Sequence, residues 1–298
     1  MSLLDGKIAI VTGAGRGLGR AYALALAAAG ARVLVNDIDP AEAQAVAAEI
    51  TGAGGRAAAN TDSVAGWDSS RRIVQHCTEA FGPVDTLVNN AGVMRLTPVW
   101  QITEQEIDQT LAVNLKGALC LSRHALDVML PRRSGCIINV TSGAQAGLTH
   151  RAVYGATKAA LAGLTYAMAL DLAPHNIRVN AISPVGQTRM AQATIDAGLS
   201  DRPSWPPELV APLVVFLASA DASYITGQVV RLAGKFLSLY SHPRSIHPVI
   251  NNGGWALEDL QRYFKRTLGQ RLEPVGQDQT QYHYYQGLGV TAAAAAER

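Results

Sequence analysis

A phenol and an ammonium group stand four residues apart in the stretch Tyr154-Gly155-Ala156-Thr157-Lys158. Side chains at this spacing share one face of a helix, so the two groups are expected to be neighbours. A free phenol has a pKa of about 10, and a nearby positive charge favours its ionised form. The pair therefore suits proton transfer near neutral pH, although a tyrosine and a lysine at this spacing also occur as ordinary residues on a helix surface.

A glycine-rich segment follows the apolar run KIAIVTG and precedes an alanine-rich stretch; it reads Thr12-Gly13-Ala14-Gly15-Arg16-Gly17-Leu18-Gly19. Glycines let a backbone approach a pyrophosphate closely, and the first turn of a helix offers free N–H groups to it. The order of strand, turn and helix predicts a dinucleotide site, and the alternative is a plain glycine-rich turn. The spacing is TGxxxGxG, which differs from the GxGxxG pattern of other dinucleotide sites.

Further polar residues follow later apolar runs. Ser142 ends the run GCIINVTS, Asn114 lies in VNLKG, and residues 89–92 read NNAG. With the glycine-rich segment and the Tyr-Lys pair, these motifs make residues 7 to about 234 resemble the short-chain dehydrogenase/reductase family. Each motif alone is weak, but the combination along one chain is specific.

The resemblance implies a nicotinamide-dependent oxidoreductase that transfers hydride between a secondary alcohol or ketone and the cofactor. It implies that Tyr154 is the general acid/base and that Lys158 lowers the pKa of the phenol and binds the nicotinamide ribose. It also implies that Ser142 binds the substrate oxygen and that Asn114 anchors a water in a proton relay. The cofactor itself supplies the hydride chemistry.

The choice of cofactor depends on Asp37, which follows the second apolar run, ARVLVND. An acid roughly 20 residues beyond the glycines is placed to hold the hydroxyls of the adenosine ribose. A carboxylate there repels a ribose phosphate, and Ile38 stands where phosphate-binding relatives tend to carry arginine. NAD is therefore favoured, while Arg16 leaves NADP open, because an arginine at its position serves either cofactor in the family.

The remaining cofactor contacts implied by the resemblance come from the glycine-rich turn and from later strand ends: Gly13, Arg16, Gly17, Leu18, Gly19, Asp62, Ser63, Asn90, Ala91, Gly92, Pro184 and Thr188. Without the resemblance, Asp62 is interpreted as a turn acid. Val185 separates Pro184 from Gly186, whereas most relatives carry an adjacent Pro-Gly. The geometry of that loop is therefore left open.

The substrate site is expected to include Ser142, Tyr154 and Met190, with residues 189–207 as a lid. The sequence leaves open a 3-hydroxyacyl thioester, a steroid or a cyclic alcohol as substrate, because one fold and one set of catalytic groups serve all of these. The stretch NAISPVGQTRM resembles the hydroxyacyl-CoA dehydrogenase part of peroxisomal multifunctional enzymes.

Two other functions are weighed against this one. The first is a noncatalytic, dinucleotide-binding regulatory module, which would not need a tuned phenol. The second is a sugar-nucleotide epimerase, which needs a larger C-terminal substrate domain than this chain offers.

The elements that must position these residues follow from the apolar periodicity. Short runs rich in valine and isoleucine alternate with longer helical segments up to about Gly234, which predicts an α/β fold. The helical segments are expected to start near Gly17, Pro40, Trp67, Glu104, Tyr154 and Glu208, and the one from Glu104 is expected to run to Met129. Such strands are buried on both faces, so we expect a Rossmann-type, doubly wound parallel sheet with helices on both sides. The candidate strands are KIAIVTG, ARVLVND, DTLVNNAG, GCIINVTS, IRVNAISP and QVVRLAG, with a further strand expected before Asp62.

Residues 1–234 are thus expected to form one catalytic domain, followed by an extension over 235–298 with one candidate helix near 257–268. The extension is too poor in apolar residues to fold alone, and we expect it to pack on the body or on a neighbouring subunit. Its end is interpreted either as disordered or as an arm laid over a neighbouring subunit. Small residues along the Tyr154 helix predict a homodimer or homotetramer, although the same residues equally suit packing of that helix on its own sheet.

Composition excludes several partners. Of 298 residues, 48% are hydrophobic and 16% are charged, with a formal net charge of +2, and no basic run indicates nucleic-acid binding. No apolar stretch reaches the roughly 20 residues of a membrane span, and no signal segment is evident, so we expect a cytoplasmic protein. The three cysteines lack metal-ligand spacing, and His242 and His247 are interpreted as loop residues, so no metal is expected.

Overall fold

Apolar runs, most of them rich in β-branched residues, form the central strands of one sheet in the computed structural model, which describes residues 2–200, 205–273 and 276–277. Over these residues the strands are β1 (Ile8–Thr12), β2 (Arg32–Asn36), β3 (Arg56–Asn60), β4 (Thr86–Asn89), β5 (Gly135–Val140), β6 (Ile177–Val185), β7 (Val229–Ala233) and β8 (Phe236–Leu239). Their order is β3-β2-β1-β4-β5-β6-β7-β8. All neighbours pair in parallel except β7 and β8.

Helices connect the parallel strands. Over the described residues they are α1 (Gly17–Ala28), α2 (Pro40–Gly52), α3 (Trp67–Phe81), α4 (Glu104–Leu111), α5 (Gly117–Met129), α6 (Ala152–Leu172), α7 (Arg189–Asp196), α8 (Ala211–Ala218) and α9 (Leu257–Tyr263). A parallel pair of strands needs such a crossover, because a tight turn cannot join them.

Two hydrophobic cores cover the two faces of the sheet. On one face, Tyr22 and Leu26 of α1 pack with the buried residues of α2 and α8. On the other face, Ile73 of α3 and Leu121 of α5 pack with the end of α6. Helices therefore cover both faces, which confirms the predicted doubly wound α/β fold.

The strand order reverses between β1 and β4, because β2 and β3 lie on one side of β1 and the later strands lie on the other. Ligands of open α/β sheets bind beyond the carboxyl ends of the strands at such a switch point. The loops that follow β1, β2, β4, β5 and β6 meet at this edge, and the candidate site residues lie on them.

The helices differ in whether a side chain caps their N terminus and whether their first turn carries an acidic residue. Asp39 caps α2 through the Glu42 N–H, and Thr103 and Glu106 form a capping box at α4. By contrast, α6 begins after Arg151, which provides no side-chain cap, and its first turn carries no acidic residue. This end of α6 therefore lacks the usual complement to the positive pole of a helix.

The structure departs from the expected elements in three places. The segment from Glu104 to Met129 is not one regular helix, because the π-helical turn Ala112–Lys116 interrupts it. The last helix before β7 starts at Ala211 rather than near Glu208, since 207–209 form a 3₁₀ turn that contains Pro207. A strand after Gly234, β8, pairs antiparallel with β7.

Because of β8, the first compact unit ends at Tyr240, a few residues beyond the boundary expected at Gly234. The second unit, Ser241–Arg298, contains α9 followed by two 3₁₀ turns, Phe264–Arg266 and Leu268–Gln270. The expected disorder near the C terminus falls outside the described residues. Within the part of the chain that is described, no helix combines the length and apolar character needed to cross a membrane.

Candidate active site

The glycine-rich turn after β1 forms a cradle of bare backbone. A Cβ on Gly19 would lie 2.1 Å from the Gly13 carbonyl oxygen and 2.5 Å from Asn90 Nδ2, so only glycine fits there. Gly13 has a positive φ of 60°, and a Cβ on it would lie 2.9 Å from Ala91 Cα. The first turn of α1 has no side-chain cap from Arg16, so its N–H groups face the turn. These features fit a diphosphate bound at the N terminus of α1.

Thr12 ties the NNAG segment to this turn. Its hydroxyl accepts hydrogen bonds from the N–H groups of Asn90 and Ala91, both at 3.0 Å. The Asn90 amide donates in return to the carbonyl oxygens of Thr12 and Gly13, at 2.8 and 3.0 Å. Two loops that are distant in sequence thus form one surface at the switch point.

Asp37 lies directly beside the glycine-rich turn, at the end of β2. The N–H groups of Gly15 and Asp39 donate to its carboxylate at 2.9 and 3.1 Å. The guanidinium of Arg16 is paired with Asp39 and Glu42, with 2.8 Å between Arg16 Nε and Glu42 Oε1. Three carboxylates therefore face one guanidinium, and the potential at this end of the site is negative.

Asp62 follows β3 at the same edge. Its carboxylate accepts from Arg72 Nε at 2.8 Å and from Asn60 Nδ2 at 3.2 Å. The neighbouring Ser63 hydroxyl accepts from the Ala65 N–H at 3.2 Å. Asp62 is thus a fixed acid beside the β2 and β3 ends, where the resemblance assigns it to the adenine.

The loop after β6 reaches the glycine-rich turn despite the inserted Val185. A Cβ on Gly17 would meet Thr188 Cγ2 at 3.3 Å, and a Cβ on Gly186 would meet Leu18 Cδ2 at 2.9 Å. Pro184 lies inside β6, and Thr188 caps α7. The extra residue therefore leaves this loop in contact with the start of α1.

The expected lid is described except for residues 201–204. Met190, in the first turn of α7, is 37% exposed. The Trp205 carbonyl accepts from the Gln187 N–H at 2.6 Å, and the Trp205 ring lies against Gly234 in the turn between β7 and β8. The lid thus rests on the segment at which the sequence suggested a boundary.

Asn114 lies in the π-helical turn between α4 and α5, and such turns often mark functional positions. Its buried amide accepts from the Val93 N–H at 2.8 Å and donates to the Val93 carbonyl at 2.9 Å and to Thr157 Oγ1 at 3.2 Å. The side chain therefore joins the loop after β4 to α6. A Cβ on Gly92 would meet the Asn114 amide and Lys158 Nζ at 3.4 and 3.6 Å, which places this junction beside the lysine.

Ser142, Tyr154 and Lys158 come together where β5 ends and α6 begins. The Ser142 hydroxyl is near enough to the Tyr154 phenol to lower its pKa. Lys158 Nζ lies 5.6 Å from the centre of the Tyr154 ring and donates to the Val140 carbonyl at 2.7 Å. The expected face of α6 thus carries the phenol and the ammonium together.

The electrostatics of this group are set by burial and by one further cation. Burial raises the pKa of Tyr154, while the neighbouring Ser142 hydroxyl and the charge of Arg151 lower it. Burial lowers the pKa of Lys158 to about 8. Arg151 is therefore a further cation that acts on the phenol, and sequence reasoning did not single it out.

Three polar residues or backbone groups at this site were missed from sequence. Thr12 joins the two cofactor loops, the Gly15 N–H holds Asp37, and Arg151 bears on Tyr154. Only Arg151 left a usable signal, because it lies three residues before Tyr154 and so one helical turn away.

No metal centre is evident: over the described residues, no three His, Cys, Asp or Glu side chains are grouped so that they could hold a metal ion. Cys77, Cys120 and Cys136 are free and buried. Burial raises the pKa of each of these thiols.

Comparison with known proteins agrees with this geometry. The chain matches the short chain dehydrogenase family over residues 7–197. It is 33% identical to a 3-oxoacyl-acyl-carrier-protein reductase of Thermotoga maritima over 240 residues, which are 78% of this chain and 98% of the relative. It is 36% identical to a galactitol 2-dehydrogenase of Agrobacterium fabrum over 254 residues, 78% of this chain and 97% of the relative.

Among solved structures, a short chain dehydrogenase from Mycobacterium avium superposes with a TM-score of 0.80 at 37% identity, covering 90% of this chain and 96% of that one. The relatives are named for different substrates, a ketone on an acyl carrier and a sugar alcohol, but all are oxidoreductases. The chain therefore belongs to the short-chain dehydrogenase family, as an NAD(P)-dependent oxidoreductase of alcohols and ketones.

Proposed function

We propose that this protein interconverts a secondary alcohol and its ketone with NAD in preference to NADP, using Tyr154 as general acid/base. The observation that carries the proposal is the grouping of Ser142, Tyr154 and Lys158, with the ammonium 5.6 Å from the centre of the phenol ring, at the sheet edge that also carries the glycine-rich turn. A proton-transfer group and a dinucleotide-shaped turn at one switch point suit a hydride-transfer enzyme.

The roles of the side chains follow from their positions. The Ser142 hydroxyl holds the carbinol oxygen next to the Tyr154 phenol. Tyr154 takes the hydroxyl proton when the alcohol is oxidised and returns it when the ketone is reduced. Lys158 is assigned to the ribose beside the phenol and keeps a positive charge near it, and Asn114 holds α6 against the loop after β4. A nicotinamide bound there would supply the hydride chemistry at the carbinol carbon.

We assign the diphosphate to the turn at Gly13, Gly17 and Gly19 and the adenosine ribose to Asp37. The negative potential around Asp37, with Arg16 already paired to two acids, supports NAD, because a ribose phosphate there meets uncompensated carboxylates. Pro184 and Thr188 are assigned to the nicotinamide end, and Asp62 and Ser63 to the adenine end.

Asp37→Asn is expected to narrow the preference for NADH over NADPH. The amide keeps the shape of the side chain but removes the charge that repels a phosphate, so NADPH should bind more tightly. Asp37→Ala should also lower the affinity for NADH by about 10- to 100-fold, because it removes the acceptors for the ribose hydroxyls. Fluorescence titration with both cofactors measures the change. Tighter binding of NADPH than of NADH by the wild type would overturn the assignment.

The proposed reaction is tested by a panel of secondary alcohols offered with NAD and with NADP, followed by the absorbance of the reduced nicotinamide. The panel should contain a 3-hydroxyacyl thioester, a sterol, a cyclic alcohol, a sugar alcohol and short hydroxy acids. Substrate-dependent reduction of NAD is expected for at least one class. Tight binding of NAD without any turnover would instead support a noncatalytic module.

We also propose that the protein is a homodimer or homotetramer that uses the outer face of α6. That face is an exposed row made mainly of small residues, which are Ala152, Ala156, Ala159, Gly163, Ala167 and Leu170. Exposed Ile107, Leu111 and Leu119 on the neighbouring α4 and α5 add apolar surface. Such a row allows two copies of the helix to approach closely.

Gly163→Arg is expected to break this assembly while leaving the subunit folded. A Cβ on Gly163 meets nothing within 4 Å in the subunit, so the side chain fits there but collides with a second copy. Gly163→Ala is the matched control and should stay assembled. Light scattering at micromolar concentration gives the mass of each. A monomeric wild type, or an arginine variant of unchanged mass, would contradict the proposal.

The segment after Gly234 is proposed to support the body of the enzyme rather than to act as a separate domain. Strand β8 completes the sheet edge beside β7, yet Phe236, Leu237 and Leu239 remain more than 60% exposed. Contiguous exposed apolar side chains favour contact with a further surface, and a neighbouring subunit would supply one.

A further inference from the structure

The buried guanidinium of Arg151 is a charge that the proposed reaction does not use. Arg151 is only 5% exposed. Its one side-chain hydrogen bond among the described residues runs from Nη1 to the Thr149 carbonyl at 3.5 Å, and none of the described carboxylates pairs with it. Arginine keeps its proton in proteins, so this is a buried cation without a counter-ion. Buried charges are normally paired, because leaving water uncompensated is costly.

The position of Arg151 at the start of a helix makes its lack of a counter-ion more unfavourable. It lies at the N terminus of the 21-residue helix α6, whose first turn contains no acid. The N terminus of a helix is already a positive pole, and a cation there is unfavourable unless a negative group joins them. The arginine and the helix therefore create one positive potential at the mouth of the site.

This potential lies at the reacting groups. Arg151 is one helical turn before Tyr154, and its charge acts on the phenol. The turn that follows Ser142 packs on the same end of α6, since a Cβ on Gly155 would meet the Ala144 carbonyl at 2.7 Å. In that turn the Gln145 amide is buried, and neither its oxygen nor its nitrogen has a partner among the described residues. The turn after Ser142 therefore carries a buried amide without a hydrogen-bond partner, and the start of α6 carries a buried guanidinium without a counter-ion, among the described residues.

From this arrangement we propose that Arg151 is a specificity-determining residue that binds a carboxylate of the substrate, so that the enzyme acts on hydroxy acids and oxo acids. The inference rests on the proposed function and names its substrate class. One helical turn separates side chains by about 5–6 Å, so the carboxylate must lie only a few bonds from the carbinol carbon. A guanidinium binds a carboxylate through two parallel hydrogen bonds, which fixes the carbinol oxygen relative to Ser142 and Tyr154.

An alternative role is purely electrostatic: Arg151 would favour the phenolate and contact no substrate. The two roles differ in what they do to neutral substrates. An electrostatic role affects every alcohol alike and shifts the pH profile, whereas a carboxylate-binding role discriminates between an acid and its ester.

The test compares acids with their methyl esters, namely 2-hydroxybutanoate, 3-hydroxybutanoate and 4-hydroxypentanoate, and includes 3-hydroxybutanoyl-CoA. In the wild type, kcat/KM with NAD should be higher for the best acid than for its ester by about 100-fold. Arg151→Gln should remove that advantage, so that kcat/KM for the acid falls to about the value for its ester in the same variant, whatever the change in the ester rate itself. Arg151→Lys should recover part of the advantage of the acid over its ester, since lysine keeps the positive charge but lacks the two parallel N–H donors of the guanidinium.

The matched control is Arg71→Gln, which removes the same charge from an exposed ion pair with Asp68 on α3. This variant should keep the wild-type kcat/KM for both the acid and its ester. Thermal stability and NADH affinity of each variant show whether Arg151→Gln is folded. The proposal is overturned if the wild type has the same kcat/KM for the ester as for the acid. It is also overturned if Arg151→Gln lowers kcat/KM for the acid and for the ester by the same factor.

A binding measurement separates this proposal from the proposed reaction. Butanoate, which has the carboxylate but no hydroxyl, is titrated calorimetrically into the protein saturated with NADH. The proposal expects binding to the wild type and a loss of about 100-fold in Arg151→Gln; no binding to the wild type, or equal binding to both, contradicts it. Butanoate binding without turnover of any alcohol would contradict the proposed reaction alone, because the carboxylate site would then exist without the chemistry.

Discussion

Tyr154→Phe is expected to remove nearly all turnover while leaving cofactor affinity almost unchanged. The ring stays in place beside Lys158 and the fold is not disturbed, but the oxygen that carries the proton is gone. General acid/base catalysis by a positioned side chain typically contributes about 10²- to 10⁴-fold to the rate, so a loss of this size is expected in kcat. Steady-state rates and a titration with NADH measure the two quantities.

The matched control is Tyr22→Phe. The Tyr22 hydroxyl is fully buried in the core and has no hydrogen-bond partner among the described residues, so its loss should leave both turnover and stability close to wild type. Turnover of Tyr154→Phe within about tenfold of the wild type would refute the role of the phenol, because proton transfer would then not depend on it.

The direction of the pKa shift of Tyr154 adds a pH dependence to this expectation. Since burial raises the pKa of the phenol, the protein favours its protonated form. Ketone reduction needs the proton and should slow as the pH rises through this pKa. Alcohol oxidation needs the phenolate and should accelerate over the same interval.

Gly19→Ala is expected to abolish cofactor binding. The new Cβ would lie 2.1 Å from the Gly13 carbonyl oxygen, which is backbone and cannot swing away as a side chain would. The turn must therefore open, and the cradle for the diphosphate is lost. Overpacking of this kind costs about 1–3 kcal/mol of stability, so the melting temperature should also fall. Titration with NADH and thermal unfolding measure both effects.

Gly52→Ala is the control, because a Cβ there, at the end of α2, meets nothing within 4 Å. It should bind NADH as the wild type does. If Gly19→Ala keeps its affinity for NADH within about threefold, the turn does not hold the diphosphate and the site must be placed elsewhere.

The strands that sequence predicted correctly share one property. Runs such as Ile8–Thr12 are β-branched and lie in the middle of the sheet, where both faces are buried, so their composition alone distinguishes them. Strand β3, Arg56–Asn60, reads RAAAN and carries no such signal. Its existence was expected only from the position of Asp62. Strand β8 is exposed, and its pairing with β7 depends on the turn at Gly234 rather than on apolar periodicity.

The candidate site divides in the same way. Residues at the ends of parallel strands, such as Asp37 and Ser142, could be placed from sequence because those ends meet at one edge of the sheet. The burial of Arg151 without a counter-ion could not be predicted from sequence, since it depends on which side chains of other segments lie near the guanidinium. The π-helical turn at Asn114 was missed for a related reason, because one extra residue in a helical turn leaves no mark on the apolar pattern.

The most direct test of hydride transfer at this site is a label-transfer measurement with an alcohol that carries deuterium on its carbinol carbon. The alcohol is the best substrate of the panel, and the reduced cofactor is analysed by mass spectrometry after a single turnover. The account predicts that the nicotinamide gains one deuterium in the wild type and in Tyr22→Phe, and that almost no labelled cofactor forms in Tyr154→Phe. Reduced cofactor without deuterium, or equal labelling in Tyr154→Phe, would contradict it.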